Sequence, residues 1–177
     1  MKHFVEVGCA DVSSLENFIS DNTVLEIIEP NPVHLQLIRE RYRDKSNVIV
    51  HPYAVWKERQ TIRFYNQGVL SYVEGVHSPA IANYGYVPQE SDALDVEART
   101  FDEFDDGTID VLDIDVEGCE WYVLEKMRSR PKFIVVEMSP YKNYHHAYFN
   151  EISAWLKDNL YVKFSEELAT DFYKRLI

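Results

Sequence analysis

Short apolar runs alternate along the chain with segments whose apolar residues recur every three to four positions, the pattern of a parallel sheet covered by helices. His3 to Val7 reads as a first strand. Ser13 and Glu16 make a capping box, and the helix it opens would bury Leu15, Phe18 and Ile19. Thr23 to Ile28 is a second strand, closed by Glu29-Pro30-Asn31-Pro32. Proline suits a helix's first turn, and Leu35, Ile38 and Tyr42 follow on one helical face. Val48 to Val50 is a third strand, and Thr61 to Tyr65 alternates like a half-buried one. Residues 67–94 show no period; a long loop in a compact domain usually serves function, so Ser71 to Tyr86 is assigned to a lid. Thr100 to Glu103 is a second capping box. Ile109 to Asp115 is a fourth strand, Gly118 to Arg128 a helix, and Lys132 to Met138 a fifth strand. Phe149, Ile152 and Leu156 mark another helix face. Tyr161 to Ser165 and Phe172 to Leu176 are joined by a link short enough for an antiparallel pair. The expected fold is α/β, a doubly wound, mostly parallel sheet with a C-terminal antiparallel pair and helices on both faces, in one domain over residues 1–177.

Composition narrows the partners. At 46% hydrophobic, 177 residues can support a full core without disulfide staples. The net charge of −12 repels phosphate backbones and anionic lipid, so neither nucleic acid nor membrane is expected. The same field attracts cations. No apolar run approaches the roughly 18 residues of a membrane helix, and Met1-Lys2-His3-Phe4 enters strand sequence at once, without room for a signal peptide. Cys9 and Cys119 make neither a disulfide framework nor a metal spacing, which suits reduced thiols in the cytoplasm. Oligomeric state has no signature here.

The fourth strand breaks the rule for its class. Interior parallel strands read as continuous apolar runs, yet strict alternation puts Asp113, Asp115 and Glu117 together on one face. Three buried carboxylates are costly, and such local violations gather at sites. The competing reading is an edge strand with a solvated acidic face. The first strand carries Glu6 and runs directly into Gly8, a residue that admits close approach of a ligand to the backbone. Glu29 ends the second strand, 23 residues after Glu6, where nucleotide-binding α/β folds place the acid that holds ribose hydroxyls. Ala10-Asp11-Val12-Ser13 lacks the further glycines of a dinucleotide fingerprint, so an adenosine without pyrophosphate fits better and a nicotinamide-dependent dehydrogenase is disfavoured.

Together these segments resemble the FkbM family of S-adenosylmethionine-dependent methyltransferases. The resemblance rests on Val5-Glu6-Val7-Gly8-Cys9, Ile28-Glu29-Pro30-Asn31-Pro32, Asn47 to Val55, Ser71 to Glu74, Arg99 to Phe104, Ile109 to Glu120 and Val135-Val136-Glu137. It implies a Rossmann-like fold, S-adenosyl-L-methionine as cofactor and a small acceptor such as a sugar or other hydroxylated metabolite. It also implies roles. Glu6, Gly8, Cys9 and Ala10 would shape the pocket for the methionine part, and Glu29 would bind the ribose beside Pro30. Tyr53 and Ala54 would lie near adenine, and Asp115 beside the sulfonium with Glu117 and Glu137 facing the same cleft. Three departures from the family pattern stand out: Ala10-Asp11-Val12 replaces an Asn-x-Gly step, Asp113 stands where the family carries Lys, and no helix precedes the first strand.

A hydroxyl acceptor needs a base within hydrogen-bond reach, and Asp115, Glu117 and Glu137 are the candidates. With Asp113 and Glu120 they also form a set of oxygen donors suited to Mg²⁺ or Ca²⁺, although no metal is assigned. Glu120 alone reads as a helix-start acid. His51, His77, His145 and His146 read as solvated loop residues, with His51 beside the adenine site as the alternative. The rival to an enzyme is an adenosine-binding or interaction module that has lost turnover through Val12 and Asp113.

Overall fold

The computed structural model describes residues 1–176. Lys2–Val7 (β1) and Thr23–Ile28 (β2) pair in parallel, followed by the helix Pro32–Arg41 (α1) and the strand Val48–His51 (β3). The Asn31 side chain caps α1 by accepting the Val33 N–H, and Pro32 occupies its first turn. A second sheet then intervenes: Ala54–Val55 (β4), Gln60–Tyr65 (β5), Tyr72–Val73 (β6), the helix Pro79–Tyr84 (α2) and Ala93–Arg99 (β7). The chain returns through Val111–Ile114 (β8), Glu120–Leu124 (α3), Phe133–Glu137 (β9), Phe149–Asp158 (α4), Tyr161–Glu167 (β10) and Thr170–Arg175 (β11). The main sheet has the order β10-β11-β9-β8-β1-β2-β3, with β11 antiparallel to both its neighbours. The smaller sheet has the order β4-β7-β5-β6.

Alternation on β1 and β8 sorts the two faces. Val5, Val7, Leu112 and Ile114 pack against Ile152 and Leu156 of α4. Phe4, Leu25 and Ile27 pack against Ile38 of α1 and Tyr42 just after it. The doubly wound, mostly parallel fold and its closing antiparallel pair are as expected from sequence. The expected edge-strand alternative is ruled out, because β8 lies between β1 and β9.

Three expectations fail locally. The helix after Ser13 shrinks to a single 3-10 turn, Glu16–Phe18, leaving Phe18 66% exposed. Its capping box never forms: the Ser13 hydroxyl donates to the buried Glu6, and Glu16 is held by the Arg41 guanidinium at 2.6 and 2.8 Å. The aperiodic stretch is not one loop, since it supplies β6, α2 and the start of β7. The helix after Gly118 spans five residues rather than eleven.

Candidate active site

The C-terminal ends of β1, β2 and β8 meet at the crest of the main sheet. Gly8 N–H donates to Ile28 C=O at 2.9 Å, and Asp115 N–H donates to Val7 C=O at 2.9 Å. Gly8 has φ +83°, and a Cβ placed there would lie 1.8 Å from the Asp115 carbonyl oxygen. The absent side chain therefore makes room for the neighbouring strand at this turn.

Above the crest lies a cavity of about 290 Å³, roofed by residues 68–73 of the smaller sheet's connection. Glu6, Gly8, Cys9, Ala10, Glu29 and Pro30 line it at one end. Tyr53 and Ala54 line it too, and the Arg99 guanidinium stacks 3.7 Å from the Tyr53 ring centre. Asp115 and Glu117 complete the wall. Thus eight cofactor positions expected from sequence, together with Asp115, face one space. His34 also lines it, with Nδ1 3.9 Å from Glu29 Oε1. Sequence reading missed His34, although its place in the first turn of α1 puts it over Glu29.

Glu29 is 5% exposed, accepting the Cys9 N–H at 3.0 Å and the Asn31 N–H at 2.7 Å. Burial pushes its carboxyl up to about 7, although both backbone bonds pull the other way. Glu6 is likewise raised to about 7, by burial first and then by Asp113 beside it in the sheet. A Lys at position 113 would pair with Glu6; here the Ser14 hydroxyl serves Asp113 instead. Asp113 faces a groove on the α1 side, so it does not share a wall with Glu117. The three-acid face expected from alternation is broken because β8 ends at Ile114 and Glu117 takes φ +54°.

Both raised carboxyls bind protons more tightly folded than unfolded. Their stabilisation is complete below the ordinary pKa near 4.5 and is lost as pH rises through about 7. Unfolding free energy is expected to fall between pH 5 and pH 8 by roughly 2–3 kcal/mol per group. Urea titrations across that range should show the fall, smaller by about one group's share in Glu6→Gln; a flat profile would contradict the burial described.

The remaining acids converge behind Glu117. Carboxylate oxygens of Asp115, Glu120 and Glu137 lie within 4.8 Å of one another. Desolvation, then Glu137 and Glu120, hold the Asp115 carboxyl well above its usual range, and desolvation and Glu120 raise Glu137 as well. Burial, with help from Asp115 and Glu137, pushes Glu117 up to about 10. Glu120 is no mere helix-start acid: fully buried, it accepts the Val116 and Gly118 N–H groups and the His146 Nε2–H. His146 Nδ1 accepts the Tyr148 N–H, which fixes that tautomer. His146 is thus buried rather than solvated. His51 is bound to Glu26 at 2.6 Å and does not line the cavity.

A sequence profile described as Methyltransferase FkbM domain matches residues 9–163. The chain belongs to the FkbM methyltransferase family. A search of curated proteins finds no match. Among solved structures, a SAM-dependent methyltransferase from Aquifex aeolicus is similar at 10% identity and a TM-score of 0.47, over 98% of this chain and 81% of that one.

The cofactor of an FkbM methyltransferase is S-adenosylmethionine, and the cavity suits it. Its described lining carries four acids and no lysine or arginine, so no fixed positive charge there opposes a sulfonium. Two buried polar atoms on its walls, the Tyr72 hydroxyl and Glu117 Oε2, have no hydrogen-bond partner among the described residues. Buried polar groups are rarely left so, and a polar ligand would satisfy them. No helix of the described residues is long and apolar enough to cross a membrane.

Proposed function

We propose that this FkbM methyltransferase O-methylates a small hydroxylated acceptor, such as a sugar, within one cytoplasmic domain. The observation that carries the reading is the continuous wall from Glu29 to Asp115 and Glu117 across the sheet crest. When bound, S-adenosylmethionine supplies an electrophilic methyl group on a sulfonium. Glu29 keeps lone pairs beyond its two backbone bonds and binds the ribose hydroxyls with them. Tyr53 and Ala54 border the adenine, while Glu6, Cys9 and Ala10 enclose the methionine end.

Direct displacement requires alignment and exclusion of water, which the roof at residues 68–73 provides. Transfer to a hydroxyl also releases one proton. The crowded Asp115–Glu137 pair, both of whose carboxyls are raised, takes that proton at the accessible Asp115 side. Glu117, protonated at neutral pH, donates its hydrogen bond to an acceptor oxygen and positions it. Free buried thiols at Cys9 and Cys119 support a reducing location.

Incubation with methyl-labelled cofactor and a panel of sugars, phenols and hydroxy acids tests the reading. Label is expected in an ether product, with Asp115→Asn lowering kcat about 100-fold or more, the usual scale of acid–base catalysis. Cofactor binding without label transfer to any hydroxyl would favour the non-catalytic module. Label recovered on nitrogen or sulfur would replace O-methylation by another acceptor chemistry.

A further inference from the structure

The acid cluster behind the cavity is more than a store of proton acceptors. Three carboxylate oxygens, from Asp115, Glu120 and Glu137, gather within 4.8 Å, close to the span of about 4–5 Å between two oxygens across a hard divalent ion. One further observation points into the same spot. The Tyr144 hydroxyl is buried and unpartnered, 3.4 Å from where a Cβ on Gly118 would stand, and the Gly118 N–H is itself bound to Glu120. Four oxygen-bearing side chains thus converge from a strand end, a short helix, a second strand end and a loop.

The surroundings hold this set in place. Glu120 is anchored by the Val116 and Gly118 N–H groups, at 3.1 and 3.2 Å, and by His146, so its position is fixed before any ligand arrives. Carboxylates anchored in this way are the usual outer support of a metal site. Gly118 has φ +103°, and a Cβ there would strike the His77 carbonyl at 2.7 Å, so the turn cannot relax away from the cluster. His146, the basic group touching the cluster, is committed to Glu120. Asp115 is accessible from the cavity and gives an ion a way in.

We propose that Asp115, Glu120 and Glu137, with the Tyr144 hydroxyl beside them, bind one hard divalent cation, Mg²⁺ or Ca²⁺, at the acceptor end of the cavity. Oxygen donors without sulfur or imidazole at the ligand positions select that class over zinc or copper. The ion's role rests on the O-methylation reading: it would bind the acceptor hydroxyl, acidify it and orient it.

The wild-type chain, stripped with EDTA and free of cofactor, is titrated calorimetrically with MgCl₂, CaCl₂ and MnCl₂. One ion per chain is expected for at least one salt, with Kd below about 1 mM, the weak end of protein Ca²⁺ sites. Asp115→Asn and Glu137→Gln should each weaken binding at least about tenfold, while Glu151→Gln on the exposed start of α4 leaves it unchanged. No saturable binding by any salt, or equal binding in both cluster variants, overturns the proposal. If either variant fails to fold, Mn²⁺ broadening of wild-type amide signals decides: loss centred on residues 115–120 and 137 supports the site, and loss centred elsewhere overturns it. Titration of the EDTA-treated protein with S-adenosylhomocysteine separates the two readings. Heat with that ligand but with none of the salts removes the metal site alone; heat with neither removes both.

Discussion

Glu29→Ala is expected to weaken binding of S-adenosylmethionine and S-adenosylhomocysteine by about 100- to 1000-fold. The carboxylate faces the cavity from the end of β2, and its backbone bonds to Cys9 and Asn31 set its direction. Each hydrogen bond from a ribose hydroxyl to a charged acceptor contributes about 1.5–3 kcal/mol, so two removed together cost roughly 3–4 kcal/mol or more. The variant also frees the Cys9 and Asn31 N–H groups, which loosens the wall without removing the apolar core beneath it. Glu29→Gln retains one acceptor oxygen and should lose less. Calorimetry with S-adenosylhomocysteine, alongside a thermal melt to confirm folding, measures both. A folded alanine variant within threefold of wild type would remove Glu29 from the site.

Gly8→Ala is expected to destabilise the chain by about 3–5 kcal/mol or to prevent folding. Two costs combine. Positive φ is strained for alanine, by about 1–2 kcal/mol, and the new methyl would sit 1.8 Å from the Asp115 carbonyl oxygen. That oxygen cannot retreat freely, because Asp115 N–H is bound to Val7 C=O and β1 pairs with β8 from Phe4↔Val111 to Val7↔Ile114. Moving it would also displace the acid cluster that follows β8. Urea unfolding of the variant, if it accumulates as a folded protein, should show the loss, and cofactor affinity should fall with it. A midpoint unchanged from wild type would mean that the turn closes by another route.

The main sheet was legible because its strands carry apolar runs and its connections carry unambiguous punctuation at Pro32 and Pro131. Of the smaller sheet only β5 was, as Thr61 to Tyr65, although Leu94, Val96 and Ala98 alternate with Asp95, Glu97 and Arg99 on β7. β4 and β6 escaped notice because each is two residues long. A strand of two residues has no period to read; only its pairing defines it. The 3-10 turn at Glu16 shows the opposite failure. Ser13 and Glu16 satisfy the helix rule locally, but buried Glu6 and Asp113 claim the serine hydroxyls and Arg41 claims Glu16.

At the site, strand-end position was enough to bring Glu6, Glu29, Asp115 and Glu137 to the crest, because every parallel strand delivers its C-terminal residue to the same edge. What lay beyond period-2 reasoning was direction. Glu117 turns through positive φ, which sends it into the cavity and away from Asp113. His146 and Tyr144 reach the cluster from a loop whose aromatic sequence carries no spacing rule. The burial of His146 follows from the buried Glu120 carboxyl, which needs a donor there.

A crystal structure of the chain with S-adenosylhomocysteine tests the central claim most directly. The ribose hydroxyls are expected within hydrogen-bond distance of Glu29, the adenine beside Tyr53 and Ala54, and the sulfur pointing toward Asp115 and Glu117. A ligand seated instead in the groove beside Asp113 and Phe172, or a ribose turned away from Glu29, would contradict the account.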